Sequence, residues 1–124
     1  MTTYLFVTKP EYEPEHVETG ETTWWSCGSK MKSGDRALVY VTGAGITYEW
    51  QATADAEPDP EWKNKCSVSH ESAFEPPITI REIRVAIPKE EWSPPHLNFR
   101  GYRSIEIPDD IATKLRDLRF QREN

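Results

Sequence analysis

The sequence predicts an α+β protein: a small, mostly antiparallel, barrel-like β-sheet flanked by a short helix and a C-terminal helix. Residues 46–56 alternate between apolar and polar, and the β-rich run Arg36 to Thr42 precedes them across a Gly43-Ala44-Gly45 turn. Beyond Pro108, Ile111, Leu115 and Leu118 recur at helical spacing. The 124 residues contain no repeat, low-complexity tract or flexible linker, so 1–124 reads as one domain.

The elements follow in order. Tyr4 to Thr8 reads as a strand stopped by Pro10, and the acidic stretch after it, through Gly20, as a loop with one helical turn. Thr22 to Lys32 is polar around Trp24-Trp25 and contains Gly28, which suggests a connecting segment. Ser33-Gly34-Asp35 signals a turn into the first strand of a hairpin. In its second strand Ile46, Tyr48, Trp50, Ala52 and Ala54 form one apolar face. Pro58 and Pro60 end that strand and open a short loop holding Trp62. Lys65 to Phe74 reads as a weaker strand closed by Pro76-Pro77. Thr79 and Glu82 have capping-box spacing, which predicts a short helix to about Val85. Four prolines or glycines between residues 88 and 101 make that stretch irregular, and Arg103 to Ile107 is a last strand. Asp109 is a candidate cap for the terminal helix.

Five Trp, five Tyr and four Phe supply large blocks of core, which excludes disorder as the dominant state. No run approaches the ~18 to 20 apolar residues of a membrane span. Met1 to Val7 leads straight into Lys9-Pro10-Glu11, without the charged-then-apolar pattern of a signal peptide. The expectation is a soluble, cytoplasmic protein. Only two cysteines, Cys27 and Cys66, are present, which predicts reduced thiols rather than a disulfide scaffold. The formal net charge of -6 gives no global basic field for nucleic acid. The basic residues are nonetheless clustered: Lys30, Lys32 and Arg36; Lys63 and Lys65; Arg100 and Arg103; and Lys114, Arg116, Arg119 and Arg122 in the tail.

No catalytic motif stands out: there is no GxSxG, no HExxH and no glycine-rich phosphate loop with a lysine. A thiol site could recruit Cys27 or Cys66 with His70, and a metal site Cys66 and His70 with Cys27 or His96, but no CxxC or HxxxH spacing supports either. The aromatics say more. Trp50 sits on the alternating apolar face and reads as core. Trp25 and Trp62 lie in polar or charged segments, where a tryptophan either anchors a loop or walls an open pocket. Two facing rings would sandwich a flat heterocycle, and base–aromatic stacking is worth roughly 1 to 3 kcal/mol per base.

Four blocks spanning nearly the whole chain resemble, in order, those of an EVE domain, a member of the PUA-like superfamily related to YTH domains. They are YLFVTKP (Tyr4 to Pro10), TTWWSCGSKMKSGDRALVYV (Thr22 to Val41), ITYEWQATADAEPD (Ile46 to Asp59) and FRGYRSIEIP (Phe99 to Pro108). The Trp loop, the Lys-x-Gly-Asp turn and the Pro-Asp strand end together carry the resemblance. It implies a PUA-like barrel that binds nucleic acid and holds a modified, flipped-out base in an aromatic pocket. Trp25 is similar in position to the Trp of the first cage loop and Ser26 to the small polar residue after it; Trp62, followed by Lys63, resembles the second cage Trp. Trp24 and Trp25 compete for the role of wall.

The candidate pocket is Trp24, Trp25, Ser26, Cys27, Tyr48 and Trp62, with Lys30, Lys32, Lys63, Asn98, Arg100 and Arg103 at the rim or on the nucleic-acid backbone. No catalytic residue, metal or cofactor is expected. The implied partners are modified DNA or RNA and an effector protein such as a nuclease, and no membrane. Phosphate affinity would come from local clusters and depend strongly on salt. A buried extra methyl would add about 1 kcal/mol. The competing readings are an RNA-binding or RNA-processing module reading backbone and shape through Arg100 and Arg103, and a small enzyme with a Cys27 or Cys66 nucleophile.

Overall fold

The computed structural model describes residues 1–12 and 18–123; part of the expected acidic loop, including Glu13 and Glu15, lies outside the described residues. The strands are β1 (Thr3–Thr8), β2 (Thr22–Ser26), β3 (Arg36–Val41), β4 (Gly45–Ala52), β5 (Glu57–Asp59), β6 (Lys63–Ile78) and β7 (Ser104–Ile107). The helices are α1 (Ile80–Ala86) and α2 (Asp109–Glu123), with short 3-10 turns at Pro10–Tyr12 and Pro94–Leu97. The seven strands form one sheet in the order β2-β6-β4-β3-β1-β7, with β5 also paired to β6. Among the described residues only β1 and β3 run parallel. The fold is thus mixed α+β, and the path of strands is open from β2 to β7.

The sheet has an apolar core on each face, as strand alternation requires. Leu5, Leu38, Tyr40, Ile46, Phe74 and Ile78 meet the helical layer through Ile83, Ile87, Ile111 and Leu115. Tyr4, Phe6, Ala37, Val39, Trp50, Cys66 and Val68 form the second core with Cys27 and Met31. Hereafter this second face is the inner face. Helix α1 begins with the expected capping box: Thr79 Oγ1 accepts from the Glu82 amide, and the Glu82 carboxylate accepts from the Thr79 amide. Helix α2 is seated by arginines of the basic tail. Arg116 reaches Glu49 at 3.3 Å, while Arg119 donates to Ser72 Oγ and the Ala73 carbonyl and covers the Phe74 ring.

Several elements differ from the sequence expectation. Part of the expected connecting segment 22–32 is strand β2. The apolar face expected over Ile46–Ala54 changes sides: Tyr40 pairs with Ile46 and Val39 with Tyr48, so Thr47 is extra, leaving Ile46 on the helical face and Trp50 and Ala52 on the inner one. Strand β6 is longer than expected and runs through Pro76-Pro77. Its register to β4 steps from Ala73 opposite Tyr48 to Ile78 opposite Ile46, so the prolines fall where no ladder donor is required. Pro58 lies inside the short strand β5, and Asp109 is the first helical residue of α2 rather than a preceding cap.

Candidate functional site

Strand β2 lies antiparallel to β6, with Trp24 opposite Ser67, Trp25 opposite Cys66 and Ser26 opposite Lys65. Because successive side chains leave a strand on opposite faces, the WWSC sequence divides itself. Trp25 turns inward onto Trp50, with ring centroids 4.9 Å apart and planes at 70°. Cys27 joins the same inner core. Trp24 and Ser26 turn outward, and Trp24 is 48% exposed. The Lys-x-Gly-Asp turn holds the following segment: the Asp35 carboxylate accepts from the amides of Lys32 and Thr2, and Gly34 takes φ +91°.

On the inner face Tyr48 lies parallel to Trp50 at 6.2 Å and edge-on to His70 at 5.5 Å. Trp50 also meets Phe6 at 6.4 Å. Trp50 is buried, whereas Trp25 and Tyr48 are half-buried, so the cluster has a closed floor and two partly open rims. His70 stands opposite Trp50 in register, is 4% exposed, and its Nδ1 has no hydrogen-bond partner among the described residues. Burial pushes the His70 imidazole below its usual range, against the opposing pull of Glu21 and Glu71.

The outer face carries a separate network. Lys65 Nζ lies 4.8 Å from the Trp24 ring centre and 3.5 Å from the Asp59 carboxylate. Asp59 Oδ1 accepts from the amides of Glu61 and Trp62, each at 2.9 Å. The Trp62 amide, then the Glu61 amide, then Lys65 hold this carboxyl below its usual range. The turn bearing exposed Trp62 is thereby tied to the Trp24 side of β6, not to the Trp25 side.

The expected pocket set is accordingly split. Trp25, Cys27 and Tyr48 share the inner face; Trp24 and Ser26 share the outer face. The expected sandwich of Trp25 and Trp62 with Ser26 on the base edge is corrected by this alternation. Lys63, opposite Asp59 in register, has φ +64° and is exposed, as are Lys30 and Lys32, the last 4.0 Å from Asp55. Asn98 accepts from Arg84 beside the 3-10 turn, and Arg100 and Arg103 are exposed near β7, at the opposite end of the strand order from β2. Trp50 and His70 share this face with Trp25 and Tyr48, outside the expected pocket set. The i, i+2 relation of Tyr48 and Trp50 and the Cys66-Val68-His70 alternation were the available signals.

The thiols make their own arrangement. Cys66 Sγ is 3.5 Å from Met31 Sδ. Interaction with the Cys66 thiol lowers the Cys27 thiol; the same interaction, then burial, raises Cys66. Cys66 and His70 are four residues apart on one strand, about 13 Å along it, so the thiol–imidazole and Cys66–His70 metal sets do not assemble. His96 instead bonds the Ile87 carbonyl at 2.7 Å. No helix among the described residues is long and apolar enough to cross a membrane.

No family model matches the chain, and no curated protein matches it. Solved structures do. Rpa0253 from Rhodopseudomonas palustris superposes with a TM-score of 0.73 at 16% identity, covering 93% of this chain and 90% of its own. A protein from Pseudomonas putida gives 0.75 at 14% identity, over 94% and 99% of the two chains. A hypothetical protein from Leishmania major gives 0.75 at 9% identity, over 100% and 98%. At these identities the likeness defines an α+β fold class shared along the whole chain.

Proposed function

We propose that this protein is a nucleic-acid reader of the EVE, PUA-like type, its sheet curving toward a barrel, that holds a modified base on its inner aromatic face without catalysis of its own. One observation carries the reading: Trp25, Tyr48, Trp50 and His70 converge on one face, the outer two rings half-open, with a buried ring nitrogen lacking a partner among the described residues. The rings of Trp25 and Trp50 already touch, so a base stacks on the open side of Trp25 or Tyr48 rather than between the tryptophans. Methylated DNA or RNA is the ligand class, and an effector such as a nuclease would act on what the reader finds.

The test is quenching of tryptophan fluorescence by nucleosides and short oligonucleotides carrying 5-methylcytosine, 5-hydroxymethylcytosine, N4-methylcytosine or N6-methyladenine, at low salt beside the plain bases. Saturable quenching by one modified base is expected. Trp25→Ala should weaken it about 5- to 150-fold, the equivalent of one stacking contact. Unchanged affinity in a folded Trp25→Ala protein refutes the site. A second reading, a module that follows the backbone of RNA, is favoured by exposed Arg100 and Arg103, which have no ion-pair partner among the described residues. Binding that ignores base modification and falls in Arg100→Ala and Arg103→Ala variants would select it.

A further inference from the structure

We propose that Cys27, Cys66 and Met31 form a binding site for a soft monovalent cation, Cu(I), at the inner end of strands β2 and β6. Two thiols and one thioether are the donor set that soft metals select over hard ones. The three residues come from two pieces of chain, the segment after β2 and strand β6. Cys27 follows β2, Cys66 lies in β6, and Met31 is delivered by the turn in which its amide donates to the Gly28 carbonyl at 3.3 Å.

The spacing suits one ion. Three sulfurs at about 2.3 Å from a trigonal centre stand about 4.0 Å from one another. Cys66 Sγ and Met31 Sδ are already 3.5 Å apart, and Cys27 packs in the same buried cluster, two residues past Trp25, the ladder partner of Cys66. An outward shift of about half an ångström brings the Cys66 and Met31 sulfurs to the spacing a metal requires. Met31 and Cys66 are fully buried and Cys27 is 7% exposed, so Cys27 is the edge through which an ion enters. Binding forms two Cu–thiolate bonds and one thioether bond. It releases both thiol protons to solvent and oxidises nothing.

The experiment titrates the full chain anaerobically with Cu(I) against a chromophoric Cu(I) chelator, reading chelator absorbance and tryptophan fluorescence, since Trp25 pairs with Cys66 in the ladder. Wild type is expected to hold one equivalent. Cys27→Ser should lose at least a hundredfold in affinity and Met31→Leu about tenfold, with the metal-free melting curve of Met31→Leu near wild type. Copper-edge absorption should count three sulfur neighbours at about 2.3 Å, which tests the triad even where a variant fails to fold. Retention by wild type no tighter than by Cys27→Ser, or only two sulfur neighbours at the metal, overturns the proposal.

Discussion

Gly45 opens strand β4 with φ +124°, and a Cβ built on it would meet the Ile78 carbonyl oxygen at 2.1 Å, its carbon at 2.7 Å and Thr79 Cα at 3.1 Å. All three atoms are backbone, so no side chain can swing away. An ordinary carbon–oxygen approach is about 3.3 Å, so Gly45→Ala must push β4 and β6 apart by more than an ångström at the point where Ile46 pairs with Ile78. Overpacking of that kind costs about 1 to 3 kcal/mol, and the left-handed backbone adds about 1 to 2. With 124 residues the entropy of unfolding makes each kcal/mol worth about 4 °C, so the expected loss in Tm is about 8 to 20 °C. Gly43 supplies the internal control. Its φ is +88°, yet nothing lies within 4 Å of its Cβ position. Gly43→Ala should therefore carry the backbone strain alone and lose about 4 to 8 °C. Calorimetry on the two variants decides the matter. A Gly45→Ala protein that melts no lower than Gly43→Ala would refute close backbone approach as the reason for glycine at 45.

Two further perturbations test the inner face and the helical layer. His70 has a folded pKa below its unfolded value near 6.5, so the unfolded chain takes up a proton first, and stability present above that value is lost as pH falls through it. Urea midpoints between pH 7.5 and 5.5 should thus drop further for wild type than for His70→Gln, and equal drops would contradict the buried, neutral imidazole. Thr79→Ala removes the hydroxyl of the capping box and should cost about 1 kcal/mol, or about 4 °C in Tm, with Thr79→Ser close to wild type; a melt unchanged in Thr79→Ala would show α1 to be held by Ile83 and Ile87 alone.

The sequence made legible those elements whose local chemistry and tertiary placement agree. The β3–β4 hairpin has a β-rich run, a glycine turn and alternation. Helix α1 has its capping box, and α2 has Ile111 and Leu115 on the face that meets the sheet. Strand β2 was hidden because only Trp25 of its five residues is more than lightly covered, so no alternation of apolar and polar letters marks it. The change of face at Thr47 was hidden for a different reason. A bulge is a property of two strands in register, and nothing in residues 46–52 alone announces that Ile46 will face helices while Tyr48 and Trp50 face away. Arg116 and Arg119 looked like part of a basic tail; their partners, Glu49 and Ser72, are at least 47 residues distant in sequence, and only the docking of α2 reveals them. The candidate site was half legible. Trp25 and Tyr48 are legible by residue type, whereas Trp50 reads as core and His70 enters only thiol and metal sets that no spacing supports.

The adjacent tryptophans of β2 impose a choice that the fold has to make once. A slip of one residue against β6 would exchange every side chain between the faces, bringing Trp24 in and turning Trp25 and Cys27 out. The observed register gains the Trp25–Trp50 contact, worth about 0.5 to 1.5 kcal/mol beyond the area buried, together with burial of Cys27 against Cys66 and Met31. Outside, it sets Trp24 beneath the Lys65 ammonium, worth about 0.5 to 1 kcal/mol at an exposed site. Both terms favour the same register, and the Cys27 amide, donating to the Asn64 carbonyl at 3.3 Å, extends it past the strand end. Only in that register do Trp25, Tyr48, Trp50 and His70 share a face, so the geometry of the proposed reader site is inherited from the packing of its floor. The outer pair of Trp24 and Lys65 then lies behind the sheet from the site. It can stiffen β2, but a base stacked on Trp25 does not touch it.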